Sequence, residues 1–252
     1  MTRRTGVCGR AERRASGQRG LTMIELLVTI LILGILTTMI LVSWFALQKS
    51  FAFSLKADDS RQAARDSVSR MTVAIRDAQD FKFTYSSQTV PAISVAEANK
   101  IVFNTSYQQS LNASVPTTAT AAGNHSVVQA AFVYVPSTST PTNGAIYYVT
   151  DHNGNGLTDE LASDANVAAN GKVVVKNVVN NVRPPGSSTP LFMYTYFADD
   201  GSVSQATSLP AADTSRIFSV QIHVLVDLDP SHAPVYMDIQ STAQPRNMRP
   251  QT

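Results

Sequence analysis

The sequence predicts an α+β protein: a long N-terminal membrane-spanning α-helix packed on a C-terminal antiparallel β-sheet head. Three observations predict it. Residues 26–48 form a run of 23 without a charged side chain. Residues 21–90 contain no proline and one glycine, Gly34, whereas all 12 prolines lie at position 91 or beyond. From residue 81 onward, short runs rich in β-branched and aromatic residues alternate with Ser, Thr, Asn, Pro and Gly, the pattern of strands divided by turns.

The apolar run comes first. Helical residues rise about 1.5 Å each, so 23 of them span roughly 35 Å, enough to cross a hydrocarbon core of about 30 Å. Trp44 and Phe45 fall near its outer end, where aromatic rings favour the headgroup level. Six arginines precede the run against Glu12 alone, giving the first twenty residues +5 of the overall +2 and leaving −3 for residues 21–252. A basic leader holds the N-terminus in the cytoplasm and sends the following segment outward. The −3 balance gives no electrostatic footprint for nucleic acid. The one cysteine, Cys8, lies in the leader. A chain trimmed of its leader has no disulfide, and the head relies on packing.

At the junction of leader and run stands Arg19-Gly20-Leu21-Thr22-Met23-Ile24-Glu25-Leu26-Leu27-Val28. A carboxylate at the mouth of a membrane segment is expensive, about 2.5–3.5 kcal/mol for an acid at the bilayer centre, and is a functional hypothesis by default. A chain cut after Gly20 has a cationic amine on Leu21, about one helical turn from Glu25. The acid then neutralises its own amine or a neighbouring subunit's where little water is present. The plainer alternative is an acid snorkelling at the mouth of an ordinary signal anchor. A secretory signal peptide fits poorly, because its apolar core runs 7–15 residues and its cleavage site follows that core.

Residues Gly20 to Leu27 of this stretch resemble the prepilin cleavage and methylation signature of type IV pilins and type II secretion pseudopilins. The resemblance implies that a membrane prepilin peptidase cuts between Gly20 and Leu21 and N-methylates Leu21. It also implies that Glu25 guides assembly and that the partners are other pilin or pseudopilin subunits bundled through the N-terminal helix. Leucine stands at position 21 where the family usually has phenylalanine, and the proline that many pilins carry inside the membrane helix is missing. The implied organisation is a cytoplasmic leader at 1–20, a transmembrane and assembly helix at 21–48, an amphipathic spine at 49–80 and a β-rich head at 81–252.

The helix is expected to run from residue 22 to about 80. Beyond Lys49, Ala57, Ala64, Val68, Met71, Ile75 and Ala78 follow a 7, 4, 3, 4, 3 spacing, a narrow apolar seam. The seam predicts packing on the chain's own sheet, with a separate coiled coil as the alternative. Asp66 and Arg70 make an i, i+4 pair with the acid first, worth about 0.2–0.5 kcal/mol. Strands are expected at 101–103, 127–135, 145–150, 172–179, 191–197, 216–228 and 234–240. In the longest of them, Phe218, Val220, Ile222, Val224, Val226 and Leu228 alternate onto one face. Residues 104–126 read as a long surface loop. The order of the head, from 172–178 through Pro184-Pro185-Gly186 to 191–197, also resembles that of larger minor pilins.

One motif of the head has ligand character. Asp151, Asn153 and Asn155 place oxygen donors at alternate positions, with glycines between them and Asp159 and Glu160 beyond. This resembles the start of a calcium loop. The twelfth position, where an EF-hand needs a bidentate acid, is Ala162, so Asp159 or Glu160 would have to serve in a shorter loop. A hairpin turn is the other reading, since Asn-Gly occurs twice. No catalytic set emerges. His125, His152, His223 and His232 lack metal-ligand spacing, and no serine sits on a glycine-flanked elbow. His223 falls on the polar face of its strand. Sequons at Asn104, Asn112 and Asn124 fall in a Ser/Thr-rich loop and carry no argument.

The expectation is therefore a structural subunit rather than an enzyme, with no required cofactor and calcium as the one candidate ion. It sits in the cytoplasmic membrane with its head outside and joins a cell-surface filament on assembly. A monomeric membrane-anchored binding or adhesion module is the alternative from another class.

Overall fold

The computed structural model describes residues 22–82, 89–105, 128–137, 143–151, 157–180, 189–229 and 236–245. It divides into two compact units, Met1–Ser54 and Leu55–Thr252.

Helix α1, Met23–Arg76, supplies all the described helix of the first unit and continues into the second. It stops four residues before the expected end. Asp77 begins a turn, and Ala78 is already an antiparallel bridge partner of Thr105. Within the second unit, Ala57, Ala64, Val68, Met71 and Ile75 are buried, and Ala78 just beyond the helix is buried too. Every member of the predicted seam is therefore covered, and from Ala64 onward the covering is the chain's own sheet. The predicted Asp66–Arg70 pair does not form; the ion pair on this stretch is Arg61–Asp58 at 2.9 Å, an i, i+3 contact between exposed side chains. Rotamer freedom on a solvated surface makes such choices nearly neutral.

The strands are β1 (Phe81–Lys82), β2 (Thr89–Val90), β3 (Ile93–Glu97), β4 (Lys100–Thr105), β5 (Val128–Val135), β6 (Gly144–Thr150), β7 (Lys172–Val178), β8 (Phe192–Phe197), β9 (Val203–Ala206), β10 (Ile217–Asp227) and β11 (Tyr236–Ala243). A seven-residue helix α2, Asp164–Asn170, lies between β6 and β7, and a 3-10 turn, Thr214–Arg216, precedes β10. β1 and β2 form their own ladder. The other nine strands make one antiparallel sheet in the order β3-β4-β5-β6-β7-β10-β8-β9, with β11 on β10.

β10 organises this sheet. From Val220 to Asp227 it pairs with β11. A strand has only two edges, so the other edge is shared: Ile217 to Ile222 pair with β8, and Val226 pairs with Val178 of β7. The gap between β7 and β8 is filled by one side chain. Asn180, fully buried, accepts the Leu225 N–H at 2.8 Å and donates to the His223 carbonyl. The amide thus continues the ladder where no strand is present, as buried backbone groups require.

The sheet also curls back on itself. Leu209, just after β9, bridges Ala96 of β3 and donates to its carbonyl at 2.9 Å. The Tyr194 hydroxyl of β8 donates to the Glu97 carbonyl at 2.9 Å. The seam of α1 lies against the inner surface so formed, with Phe103, Phe132, Ile146, Phe192, Tyr194 and Ile222 in the same core. A second, smaller core covers the opposite face of β4, β5 and β6. There Leu157 and Val167 of the β6–β7 connection close over Val102, Ala131, Val133 and Val149.

Two local distortions explain departures from simple alternation. In β10 the register shifts between Ile217 and Ser219, so Phe218 is the extra residue of a bulge. Ile217 takes the inner position with Val220, Ile222, Val224 and Val226. Phe218, expected inside, instead lies against Phe197 with ring centroids 4.6 Å apart. In β7 the register shifts against β6 between Val175 and Val178. Asn177 there adopts φ 57°, a left-handed conformation that Asn tolerates better than most residues.

Observed strands match the expected ones to within a few residues at each end. β1, β2, β3, β9 and α2 were not expected. Asn104 and Thr105, assigned to the long loop, complete β4, and the rest of that loop lies outside the described residues.

Candidate functional site

The N-terminal end of α1 is the candidate site, built from residues 22–48. Thr22 is the last non-helical residue. Its carbonyl accepts the N–H groups of Glu25 at 3.0 Å and Leu26 at 3.1 Å, and its hydroxyl lies 3.4 Å from the same Glu25 N–H. The spacing Thr22-x-x-Glu25 is that of a capping box, in which hydroxyl and carboxylate satisfy the first orphan N–H groups of a helix. Glu25 is exposed and stands in the first turn, where the positive end of the helix dipole favours an acid. Gly20 and Leu21, the expected cleavage and methylation positions, lie outside the described residues.

Beyond Glu25, the side chains point outward all round. Leu26, Ile30, Leu33, Leu36, Ile40 and Phe45 are each about half exposed or more, so this stretch has no buried face. Its hydroxyls are nevertheless satisfied. Thr29 donates to the Leu26 carbonyl at 2.8 Å, Thr37 to Leu33 at 2.7 Å, Thr38 to Gly34 at 2.8 Å and Ser43 to Met39 at 2.9 Å. Each polar side chain is folded onto its own helix, which is what a segment in hydrocarbon requires. By length and composition, α1 is able to cross a membrane. Gly34 faces open space, with nothing within 4 Å of an added Cβ.

The candidate calcium motif is only partly visible. Asn153 and Asn155 lie outside the described residues. Asp151 is half-buried at the end of β6, Asp159 is exposed and Glu160 is buried in the turn that follows; each of these three is engaged by neighbouring groups. Among the described residues no group of three His, Cys, Asp or Glu side chains is placed to hold a metal ion. The hairpin-turn reading needs correction. β6 and β7 do pair, but residues 151–171, including α2, lie between them, so the Asn-Gly steps do not close a tight hairpin. The connection is pinned instead by Leu157, whose N–H donates to Gln129 Oε1 at 3.1 Å, and by Ser163, which caps α2.

His223 projects from the outer face of β10, and its Nε2 stands 2.7 Å from Asp238 Oδ1 of β11. It belongs to a cross-strand pair rather than to a catalytic set. His125, His152 and His232 lie outside the described residues. The sequence reading missed the cap at Thr22, although the Thr-x-x-Glu spacing was the signal for it.

Residues 15–41 match the family model described as the prokaryotic N-terminal methylation motif. That match spans the Gly20–Leu21 bond, Thr22, Glu25 and the first turns of α1, and it is the prepilin-type signal of type IV pilins and pseudopilins. No curated protein and no solved structure matches the chain.

Proposed function

We propose that this chain, whose residues 15–41 carry the type IV prepilin-type methylation motif, is a minor pilin or pseudopilin subunit. Prepilin peptidase would cut between Gly20 and Leu21 and methylate Leu21. The subunit would wait in the cytoplasmic membrane, the removed leader having faced the cytoplasm and the head facing outward. It would then enter a pilus or secretion pseudopilus by bundling its N-terminal helix with those of neighbouring subunits. The chain is a substrate and a building block, not a catalyst.

The observation that carries this reading is the motif match lying on the mouth of an uncharged membrane-length helix, with Glu25 in its first turn. After the cut, Leu21 bears an ammonium group one residue from Thr22. Glu25 is the one acid of the first turn. In a medium of low dielectric an unmatched ion is costly, so pairing of Glu25 with this amine, or with that of an adjacent subunit, sets where subunits come to rest.

Mass spectrometry of the protein purified from membranes tests the processing step, with a chain starting at N-methyl-Leu21 as the expected result. An intact leader instead supports a membrane-anchored binding module. Glu25→Ala should leave membrane insertion unchanged and lower the amount in sheared filaments; filaments carrying it at the parent level would remove Glu25 from assembly. Calcium at Asp151, Asn153, Asn155, Asp159 and Glu160 is a separate proposal, which rests on their alternating oxygen donors. Calorimetry of the full chain in detergent, without heat on adding millimolar calcium, would end it.

A further inference from the structure

The edges of the large sheet are not treated alike. β3 is closed off where Leu209 bridges Ala96, and β9 is only four residues long. β10 pairs with β7 at Val178 alone. The stretch of β7 left beside that contact carries the exposed Lys172 and Lys176, a common guard against strand addition. β11 has none of these devices. Its eight residues pair with β10 in unbroken register on one side, and among the described residues no strand pairs with its other side. It contains no proline, glycine or lysine. Its one charge, Asp238, is engaged by His223 across the ladder. Backbone donors and acceptors along the open side are a template for a further strand.

The helix flank beside this edge is basic. Thr72 reaches β11 through its 2.8 Å hydrogen bond with Ser241, so the surface of α1 beyond Thr72 lies toward the open edge. Helical residues advance about 100° each, which puts Arg65, Arg76 and Ser69 about 20°, 40° and 60° beyond Thr72, away from the seam. All three are exposed. Neither arginine has an ion-pair partner among the described residues. Arg61 and Asp58, on the same side of the helix, neutralise each other at 2.9 Å. Asp66, Asp59 and Arg70 lie about 120° or more beyond Thr72, on the back of the helix.

We infer that β11 is a docking edge for an extended segment of a partner protein, which adds as a further strand and carries carboxylates on the face turned to α1. Backbone hydrogen bonds along β11 supply the affinity, and Arg65 and Arg76 select the acidic face. Residues of an added strand alternate between faces, so its acids fall at every second position. Both contributions are needed, because an exposed ion pair alone is worth little.

Fluorescence anisotropy on the full chain in detergent tests this, with a labelled peptide as long as β11 and alternating Glu and Thr as the probe. Saturable binding is expected. Arg65→Glu/Arg76→Glu should weaken it at least about tenfold, and a peptide with Lys in place of Glu should then bind the variant better than the parent. A Glu/Thr peptide N-methylated throughout keeps its charges but has no donor for the ladder, and should lose binding by a similar factor. Both arginines are exposed, so unchanged protease resistance of the head is the control for folding. The inference is overturned if the parent gives no saturable binding up to millimolar peptide. It is equally overturned if the methylated peptide binds as tightly, or if reversing the two arginines leaves the affinity unchanged.

Discussion

Two stretches of the same helix solve opposite problems. From Met23 to Leu47, α1 exposes Leu, Ile, Met, Trp and Phe on every side and folds its hydroxyls back onto its own carbonyls. From Ala57 to Val68 it buries a narrow seam that broadens to Met71, Thr72, Ala74 and Ile75, and it leaves Asp and Arg exposed on the rest. The first pattern suits a solvent of lipid and neighbouring helices; the second suits water on one side and a sheet on the other. Backbone geometry does not distinguish the two stretches. The environment is written wholly in the side chains.

The sharpest test of that contrast compares two core-size deletions. Met71→Ala, at a fully buried position, should destabilise the head by about 2–5 kcal/mol. Leu31→Ala, on the exposed apolar stretch, should leave head stability unchanged; both are read by protease resistance of the full chain across a urea series. An equal loss from Leu31→Ala would break the comparison. Next in size, Asn180→Ala strands the Leu225 N–H and the His223 carbonyl, and should cost about 1–3 kcal/mol without altering membrane insertion. Gly144→Ala should cost a similar amount, about 1–3 kcal/mol, by overpacking, because its Cβ would collide with the ring of the buried Tyr134.

A pH titration reads the sheet that covers the second stretch. Burial pushes the Tyr194 hydroxyl well above its ordinary value of 10.0. The folded head therefore holds a proton that the unfolded chain releases, and the contribution is complete below about pH 10 and declines as pH rises from there. Tyr194→Phe should flatten this alkaline decline, while losing the hydrogen bond to Glu97. The smallest effect belongs to the apolar stretch. Thr38→Val should change neither head stability nor insertion by more than about 0.5 kcal/mol, since the hydroxyl bonds only to its own helix.

The sequence was most legible where one periodicity ruled. The spacing from Ala57 to Ala78 named six buried positions, but it missed Thr72 and Ala74, which are buried where the contact with the sheet broadens. Periodicity failed at Phe218, because a one-residue bulge shifts the parity at the start of the strand and leaves no mark in the hydrophobic pattern. Ile217 is therefore inside, while Val220, Ile222, Val224 and Val226 keep the expected face. α2 escaped because its seven residues bury only Val167, too little to make a period. β4 and β5 are apolar on both faces, which reflects the second core and not just the first. The methylation motif matched over residues 15–41 was legible from its residues alone. The part played by Thr22 became visible only with the helix start in place.

One core joins Ala64, near the start of the chain's folded head, to Ala243, near its end. Thr72 on the helix even shares a 2.8 Å hydrogen bond with Ser241 on the last strand. Contacts this distant along the chain form slowly. The helix is synthesised long before β11, the strand that bonds to it through Ser241. The spine must therefore stay partly uncovered while the remaining strands are made, and completion of the core is timed by the arrival of the last strand.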